Sequence, residues 1–404
     1  MSRLVEMKKF RVGILFGGRS GEHEVSLLSA ASVFNAIDKN KFEVVPIGIS
    51  KQGHWLTAAD AERLLNGMLP EHEERHLRAG DPEVTPGAAV LARGEAVVVP
   101  PEPRSSGAMT PFQTDAASAM LTRRAADRAI NVDIMFPVLH GTFGEDGTIQ
   151  GLLELADIAY VGAGVLGSAA GMDKDIMKAL FRNAGLPIVK HVTILRSDWD
   201  ANPKKAEKRV ESKLKYPVFV KPANLGSSVG ISKAHNRKEL GPAIYEAAKF
   251  DRKIVIEQGV GGKQRAREIE CSVLGNDNPQ ASVPGEIVPS KEFYDYNAKY
   301  VDEGSQLLIP AKLTKAETKK IQQLAIAAFK AVDCSGLARV DFLMEPKTRK
   351  IYLNEINTMP GFTAISMYPK LWAASGISYP ELIERLIHLG LERHEDKKKN
   401  QYSR

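Results

Sequence analysis

Residues 336–363 read GLARVDFLMEPKTRKIYLNEINTMPGFT, and the rest of the chain can be organised around them. Val340, Phe342 and Met344 alternate with Arg339, Asp341 and Leu343, which is the period of a strand. Residues 345–350 are polar and include Pro346, so the chain turns there. In the run that follows, Ile351, Leu353, Glu355 and Asn357 fall on one face of a second strand, and Tyr352, Asn354 and Ile356 on the other. A turn of three or five residues brings Asp341 onto the face of Glu355 and Asn357, whereas a turn of two does not. Asp, Glu and Asn offer hard oxygens only, a set suited to Mg²⁺ and poorly suited to zinc. Three such side chains leave magnesium positions for water or phosphate oxygens. Arg339, one pleat from Asp341, would repel a metal ion unless anions lie between them, and phosphate supplies those anions. The competing reading is a hairpin whose polar face is merely solvated.

The 404 residues suffice for two or three domains, and a hydrophobic content of 43% with 26% charged residues is ordinary for a soluble globular chain. The net charge of +6 comes from basic residues spread along the sequence. The one dense cluster, Lys397, Lys398 and Lys399, reads as part of a solvated end, so no nucleic-acid surface is expected. Cys271 and Cys334 stand among apolar neighbours, as reduced thiols of a cytoplasmic protein do. No signal peptide or membrane-spanning run is visible.

Upstream, residues 10–16 read as a buried strand that runs into Gly17, Gly18 and Glu22, with a helix expected over 25–37 and a second strand over 42–49. Glu22, in a glycine turn at a strand's carboxyl end, can grip a substrate ammonium or cap the helix. A strand over 132–139 leads into HGTFGEDG and places His140 at its tip, with a helix following over 148–156. Lys174 opens a helix closed by Gly185, an unfavourable place for a cation unless something such as phosphate holds it there. Lys221 ends a short strand before ANLGSSVG, a Gly/Ser loop able to fold its amides over phosphates. The lysine precedes the glycines, so this is not a Walker loop. The strand over 253–256 leads into Glu257, Gln258, Gly259 and Val260, a hinge able to present backbone groups to an adenine edge. Residues 293–300, FYDYNAKY, read as a lid or binding loop, the alternative being an aromatic surface patch for a partner. Amphipathic helices are expected over 315–332 and 379–391.

GGRSGEHEVS, HGTFGEDGTIQG, MDK, VKPANLGSSVG, FYDYNAKY, ARVDF and LNEINTMPGFT stand in this order, and together they resemble the D-alanine–D-alanine ligase family of ATP-grasp enzymes over residues 11–391. The resemblance implies an α/β and α+β architecture. An N-terminal preATP-grasp Rossmann-like domain (1–165) precedes central (166–260) and C-terminal (261–404) domains that sandwich ATP. It implies two D-alanines as substrates, peptidoglycan precursor synthesis, a homodimer, and two Mg²⁺ ions, replaceable by Mn²⁺, held by Asp341, Glu355 and Asn357. Lys174, Lys221, Ser228, Glu257, Gln258, Val260, Glu268 and the lid residue Lys299 match nucleotide contacts. Glu22, Ser227 and Tyr300 match a network around the first D-alanine, with His140 near that substrate. Arg339 and the Gly361 amide match the oxyanion site, and Ser366 and Met367 the second substrate's contacts. On this reading Arg339→Ala folds normally and loses ligation. The 94–129 stretch is longer and richer in Pro and Ser than in compact members, residues 258–260 are a lean adenine hinge, and the 392–404 tail has no counterpart role. Another ATP-grasp carboxylate–amine ligase would keep the metal hairpin without needing EHEVS and FYDYNAKY together. A silent ATP-binding regulator has no need of the Asp-Glu-Asn set.

Overall fold

The computed structural model describes residues 9–49, 51, 53, 55–57, 95–98, 108–111, 130–262, 264–289 and 306–402. The first apolar run forms the strand Phe10–Gly17, flanked by two parallel strands, Phe42–Ile49 and Ile134–Pro137. A parallel strand covered on both faces is apolar throughout, and its alternation here feeds two cores. Val12, Ile14 and Phe16 pack with Leu27, Val33 and Phe34 of the helix His23–Ala36, while Leu15 joins Ile47, Met135 and Leu153 on the other side. The sheet runs outward antiparallel through Trp55–Thr57, Glu95–Val98, Ala108–Pro111 and Ile130–Asn131. The strand expected over 132–139 is shorter, Ile134–Pro137, and the separate strand Ile130–Asn131 precedes it. Most of the 94–129 stretch and the whole of 293–300 lie outside the described residues.

A second sheet has four antiparallel strands in the order Ser232–Ala234, Val218–Pro222, Lys253–Gln258, His191–Leu195. Val218, Val220, Ile254 and Ile256 pack against the helices Pro203–Glu211 and Arg237–Phe250. Period-2 alternation leaves Lys221 and Glu257 on the opposite face. A third sheet runs Gln306–Leu308, Gly285–Val288, Arg267–Gly275, Gly336–Met344, Ile351–Asn357, with the short strand Gln280–Ala281 beside Arg267–Gly275. Its apolar face packs on the helix Lys315–Ala331, which begins with a capping box between Thr314 and Glu317, and on Met177 and Phe181 of the helix Lys174–Asn183. That last helix lies between the second and third sheets, with its first turn toward both.

The C-terminal helix departs from expectation. It runs Tyr379–Lys397, beyond the expected end at 391, with its inner face docked in the core and Lys397, Lys398 and Lys399 exposed at its end, as expected of a solvated end. Leu382, Ile383, Leu386 and Ile387 belong to the same core as Val12 and Phe136. Beyond them Arg393 lies 4.1 Å from the Tyr160 ring centroid and donates to the Tyr160 carbonyl at 3.2 Å, and His394 bonds Asp157 at 2.9 Å. Lys397 pairs with Glu154, while Lys398 and Lys399 pair within the helix end with Glu395 and Asp396. The solvated basic cluster is thus neutralised locally by nearby acids. Arg393→Ala is expected to cost about 1–2 kcal/mol, the sum of a cation–π contact and a hydrogen bond. Urea unfolding checks this, with Lys399→Ala, at an exposed short-range pair, expected to change little.

Candidate functional site

The hairpin at one edge of the third sheet reaches its geometry by a different route from a short turn. Met344 pairs with Ile351, leaving six residues, 345–350, in the turn. An even turn with regular pairing sets Asp341 opposite Asn354 and sends Glu355 to the core side. Instead the register shifts between Asp341 and Phe342: Phe342 opposes Leu353, whereas Asp341 opposes Glu355 and Arg339 opposes Asn357. Asn354 is the extra residue of a β-bulge. The bulge also changes which residues share a face. Leu353 and Ile356, three apart, both enter the core, so Leu353 does not accompany Glu355 as strict alternation implied. Arg349, at φ 60°, pins the turn by a two-pronged pair to Glu317 at 2.8 and 2.7 Å.

On the polar face, Arg339 donates to both Asp341 oxygens at 2.8 and 2.7 Å, and Asn357 Nδ2 donates to Asp341 Oδ2 at 3.0 Å. Arg339 Nε also stands 3.0 Å from Glu270, which pairs across from Asp341 on the neighbouring strand. Burial acts to lower the Arg339 pKa, but Asp341 and Glu270 outweigh it and raise it well above the usual guanidinium value. Arg339→Ala is therefore expected to lose stability as well as ligation. Removing one partner of a buried ionic network leaves charges uncompensated, at a cost of about 3–5 kcal/mol. Among the described residues no group of three or more His, Cys, Asp or Glu stands in a metal-holding arrangement. The set here is two carboxylates and an amide, all hard oxygens, which fits Mg²⁺ sharing its remaining positions with phosphate.

Facing the hairpin is a cluster of lysines. Lys174 opens its helix just after Asp173, whose side chain accepts from the Asp175 and Ile176 amides at 3.1 Å and so satisfies the helix start. Its Nζ donates to the Leu225 carbonyl at 2.7 Å, at the entry of the Gly/Ser loop. Burial lowers the Lys174 pKa against the pull of Glu355. Lys221 and Lys178 grip the two oxygens of Glu257 at 2.8 and 2.9 Å. Burial acts to raise the Glu257 pKa, yet the two lysines hold it well below the ordinary carboxylate range. Burial acts to lower the Lys221 pKa, and Glu257 and Glu355 together raise it. Lys174, Ser227, Ser228, Glu355 and Asn357 line one cleft with Glu145 and Thr358. Gln258 and Val260 end and follow the strand at the far edge, where Gln258 Oε1 accepts from the Lys215 amide at 3.0 Å. Glu268 lies on the polar face of its strand, bonded to Arg265 at 2.8 Å.

At the other end of the cleft three loops meet at Glu22. A Cβ on Gly141 would lie 2.8 Å from Glu22 Oε2, and one on Gly226 would lie 3.4 Å from Glu22 Oε1. Glycine at both positions lets the HGTFGEDG loop and the Gly/Ser loop close on this carboxylate, which brings Ser227 beside it in sequence. Ser20 Oγ donates to the His140 carbonyl at 2.6 Å. The His140 ring bonds Ser29 at 3.0 Å and the Met359 carbonyl at 3.2 Å, with Glu145 3.5 Å away. Burial acts to lower the His140 pKa, but Glu145 and Glu22 outweigh it and raise it. Gly361 follows two residues after Met359, and a Cβ there would lie 3.3 Å from Ser366 Oγ. Ser366 Oγ accepts from the Thr363 amide at 3.2 Å, and Met367 begins the helix Met367–Ala374. Lys299 and Tyr300 lie outside the described residues.

Sequence reasoning passed over Lys178, Glu270 and Glu145. Lys178 follows Lys174 by one helical turn, a spacing that puts both on one face. Glu270 alternates with Glu268 on one strand, and Glu145 lies in the HGTFGEDG motif itself.

Known proteins match the chain along nearly its whole length. Residues 11–163 match the family model described as D-ala D-ala ligase N-terminus, and residues 180–388 that described as D-ala D-ala ligase C-terminus. The chain is 47% identical over 397 residues to the D-alanine--D-alanine ligase of Natranaerobius thermophilus, covering 98% of each. It is 50% identical over 393 residues to that of Thermoanaerobacter sp., covering 97% of this chain and 99% of the other. Among solved structures it is similar to the VanG D-Ala:D-Ser ligase of Enterococcus faecalis, with TM-score 0.78, 36% identity, and 95% and 100% of the two chains covered. It is also similar to the D-alanine-D-alanine ligase of Coxiella burnetii, with TM-score 0.75, 35% identity, and 97% and 96% covered. The chain belongs to the D-alanine–D-alanine ligase family, ATP-grasp enzymes that join two D-alanines with ATP for peptidoglycan synthesis.

Proposed function

We propose that the cleft between the lysine cluster and the hairpin carries out this ligation through a D-alanyl phosphate, in a chain divided as 1–165, 166–260 and 261–404. The observation that carries the reading is the bulged pairing that sets Asp341, Glu355 and Asn357 on one face beside Arg339, opposite Lys174 and Lys221. A carboxylate attacking a phosphoryl group crowds negative charge, and catalysis of such transfers is mostly positioning and charge stabilisation. Lys174 and Lys221 supply fixed positive charge, with Lys221 held ready by Glu257. Ser228, Gln258, Val260, Glu268 and Lys299 complete the nucleotide contacts. Asp341, Glu355 and Asn357 would hold two Mg²⁺ ions, or Mn²⁺, which when bound neutralise charge on the terminal phosphates.

Glu22, with Ser227 and Tyr300, holds the first D-alanine's ammonium, and His140 packs beside that substrate. Ser366 and Met367 place the second D-alanine so that its amine meets the activated carbonyl. Arg339 and the Gly361 amide donate to the oxyanion that forms on attack. The acyl phosphate must be kept from water, which is the role assigned to the lid containing Lys299 and Tyr300. The enzyme acts in the cytoplasm as a homodimer. No helix among the described residues is long and apolar enough to cross a membrane.

Phosphate release from Mg-ATP is expected to depend on D-alanine, to be absent with L-alanine, and to yield D-alanyl-D-alanine. D-serine offered together with D-alanine tests the acceptor, given the likeness to a D-Ala:D-Ser ligase. Release without D-alanine dependence rejects the reading. Arg339→Lys keeps the buried cation but loses the two-pronged fork. Its kcat is expected to fall roughly 10²–10³-fold, as when an oxyanion donor is lost, with circular dichroism unchanged. Near-wild-type turnover removes Arg339 from the oxyanion role.

His140 gives a pH test. Its folded pKa is raised, so its stabilising contribution is fully present below the unfolded value of about 6.5 and fades as pH climbs through the folded value. The stability gap between wild type and His140→Gln in urea is expected to be larger at about pH 6 than at about pH 9. A gap that does not narrow at high pH contradicts the assigned Glu145 and Glu22 coupling.

A further inference from the structure

Lys178 has no part in the reaction as derived above, yet its side chain is fully buried. A buried lysine is rare unless paired, and this one is paired twice. Its Nζ donates to the Asn354 carbonyl at 2.9 Å and stands 2.9 Å from Glu257 Oε1. Asn354 is the extra residue of the bulge, the residue that turns Glu355 away from the core and toward the cleft. One ammonium thus bridges the bulge carbonyl and the Glu257 carboxylate. The same helix touches the bulge a second time, where the Ile356 amide approaches Met177 Sδ at 3.4 Å.

We propose that Lys178 is a positioning residue that fixes the Asn354 bulge, and with it Glu355, in register with the Glu257–Lys221 pair. One ammonium then ties the strand bearing metal oxygens to the strand bearing nucleotide contacts. This inference rests on the proposed roles of Glu355, Glu257 and Lys221. A bulge leaves one residue out of the ladder, and its carbonyl needs a partner from elsewhere. Lys178 supplies that partner from a third element. Without it the hairpin can relax toward regular pairing, which rotates Glu355 toward the core side.

The test uses the full chain with Lys178→Met, which keeps much of the side-chain volume, and Lys178→Gln, which keeps a donor without the charge. Phe181→Leu, a core change on the same helix, is the control for general loosening. Binding of Mn²⁺ in the presence of ADP is followed by electron paramagnetic resonance of the free ion. Hydrogen exchange of peptides covering Ile351–Asn357 is followed in ligand-free protein. Lys178→Met is expected to weaken Mn²⁺ binding about tenfold or more, as loss of a residue that orients a metal ligand does. It should also speed exchange in that strand and leave KM for the first D-alanine unchanged, with Lys178→Gln intermediate. Phe181→Leu should lower the melting temperature without moving Mn²⁺ affinity. Lys178→Met with an Mn²⁺ affinity equal to the control's overturns the inference, and so does failure of both Lys178 variants to fold, which would make the lysine a folding residue. Wild-type protein that binds no Mn²⁺ with ADP sinks the metal-site reading itself and the inference with it.

Discussion

One surplus residue in the strand Ile351–Asn357 decides which way the oxygen ligands face. Regular pairing behind a six-residue turn puts Asp341 and Glu355 on opposite sides of the sheet. A bulge at Asn354 reverses the parity for everything beyond it, so Asp341, Glu355 and Asn357 converge with Arg339. Bulges are common beside active sites because they re-aim side chains without altering the strands on either side. Here Leu353 and Ile356 both stay in the core, so the shift sacrifices no apolar burial.

The charges around this point are arranged in two halves. On the hairpin side Arg339 is shared between Asp341 and Glu270, so the acidic face is partly neutralised before any metal arrives. On the other side Lys174, Lys178 and Lys221 surround Glu257, with Glu355 reaching toward all three. Three cations against two carboxylates leave the lysine side positive, and the cleft suits a polyanion there and cations at the hairpin. A triphosphate carrying divalent ions satisfies both halves at once. The N-terminal lobe is coupled to the same place through its core. Phe362, next to Gly361, stacks between Phe136, Tyr368 and Tyr379 at 5.6–5.8 Å, and its carbonyl accepts from the Tyr379 hydroxyl at 2.5 Å. The loop carrying Gly361 is therefore rooted in the core that the strand Phe10–Gly17 shares with the C-terminal helix.

How much of this could be read beforehand depended on whether the signal was local. Strand alternation in residues 339–344 survives intact, and the glycine turns at Gly17 and Gly141 lie where the strand ends predicted them. Turn length could not be read, because 345–350 contains no glycine or Asn-Gly signal to fix a register, and a bulge carries no sequence signature when the extra residue is an ordinary Asn. Lys178 was invisible for another reason. On a helix drawn by itself it is an exposed polar position, and only the packing of that helix between two sheets buries it. The extent of the C-terminal helix was hidden in the same way. Arg393, His394 and Lys397 gain partners only when Tyr160, Asp157 and Glu154, more than two hundred residues away, come beside them.

The Gly/Ser loop shows how such a site holds strain. Ser227 and Ser228 both sit in the left-handed region, at φ 49° and 60°, which costs on the order of 1 kcal/mol or more apiece for a residue with a Cβ. The loop is kept there from several sides. Lys174 donates to the Leu225 carbonyl, Gly226 fits against Glu22, and Gly230 leaves room for the Phe250 ring that a Cβ would strike at 2.6 Å. Glycine at those two positions would adopt such φ values with less strain, and what serine adds there is a hydroxyl. Two hydroxyls and consecutive amides, fixed between a buried lysine and a buried carboxylate, can address a phosphate on one side and an amino acid on the other. The strain is then the consequence of making one short loop border both substrates.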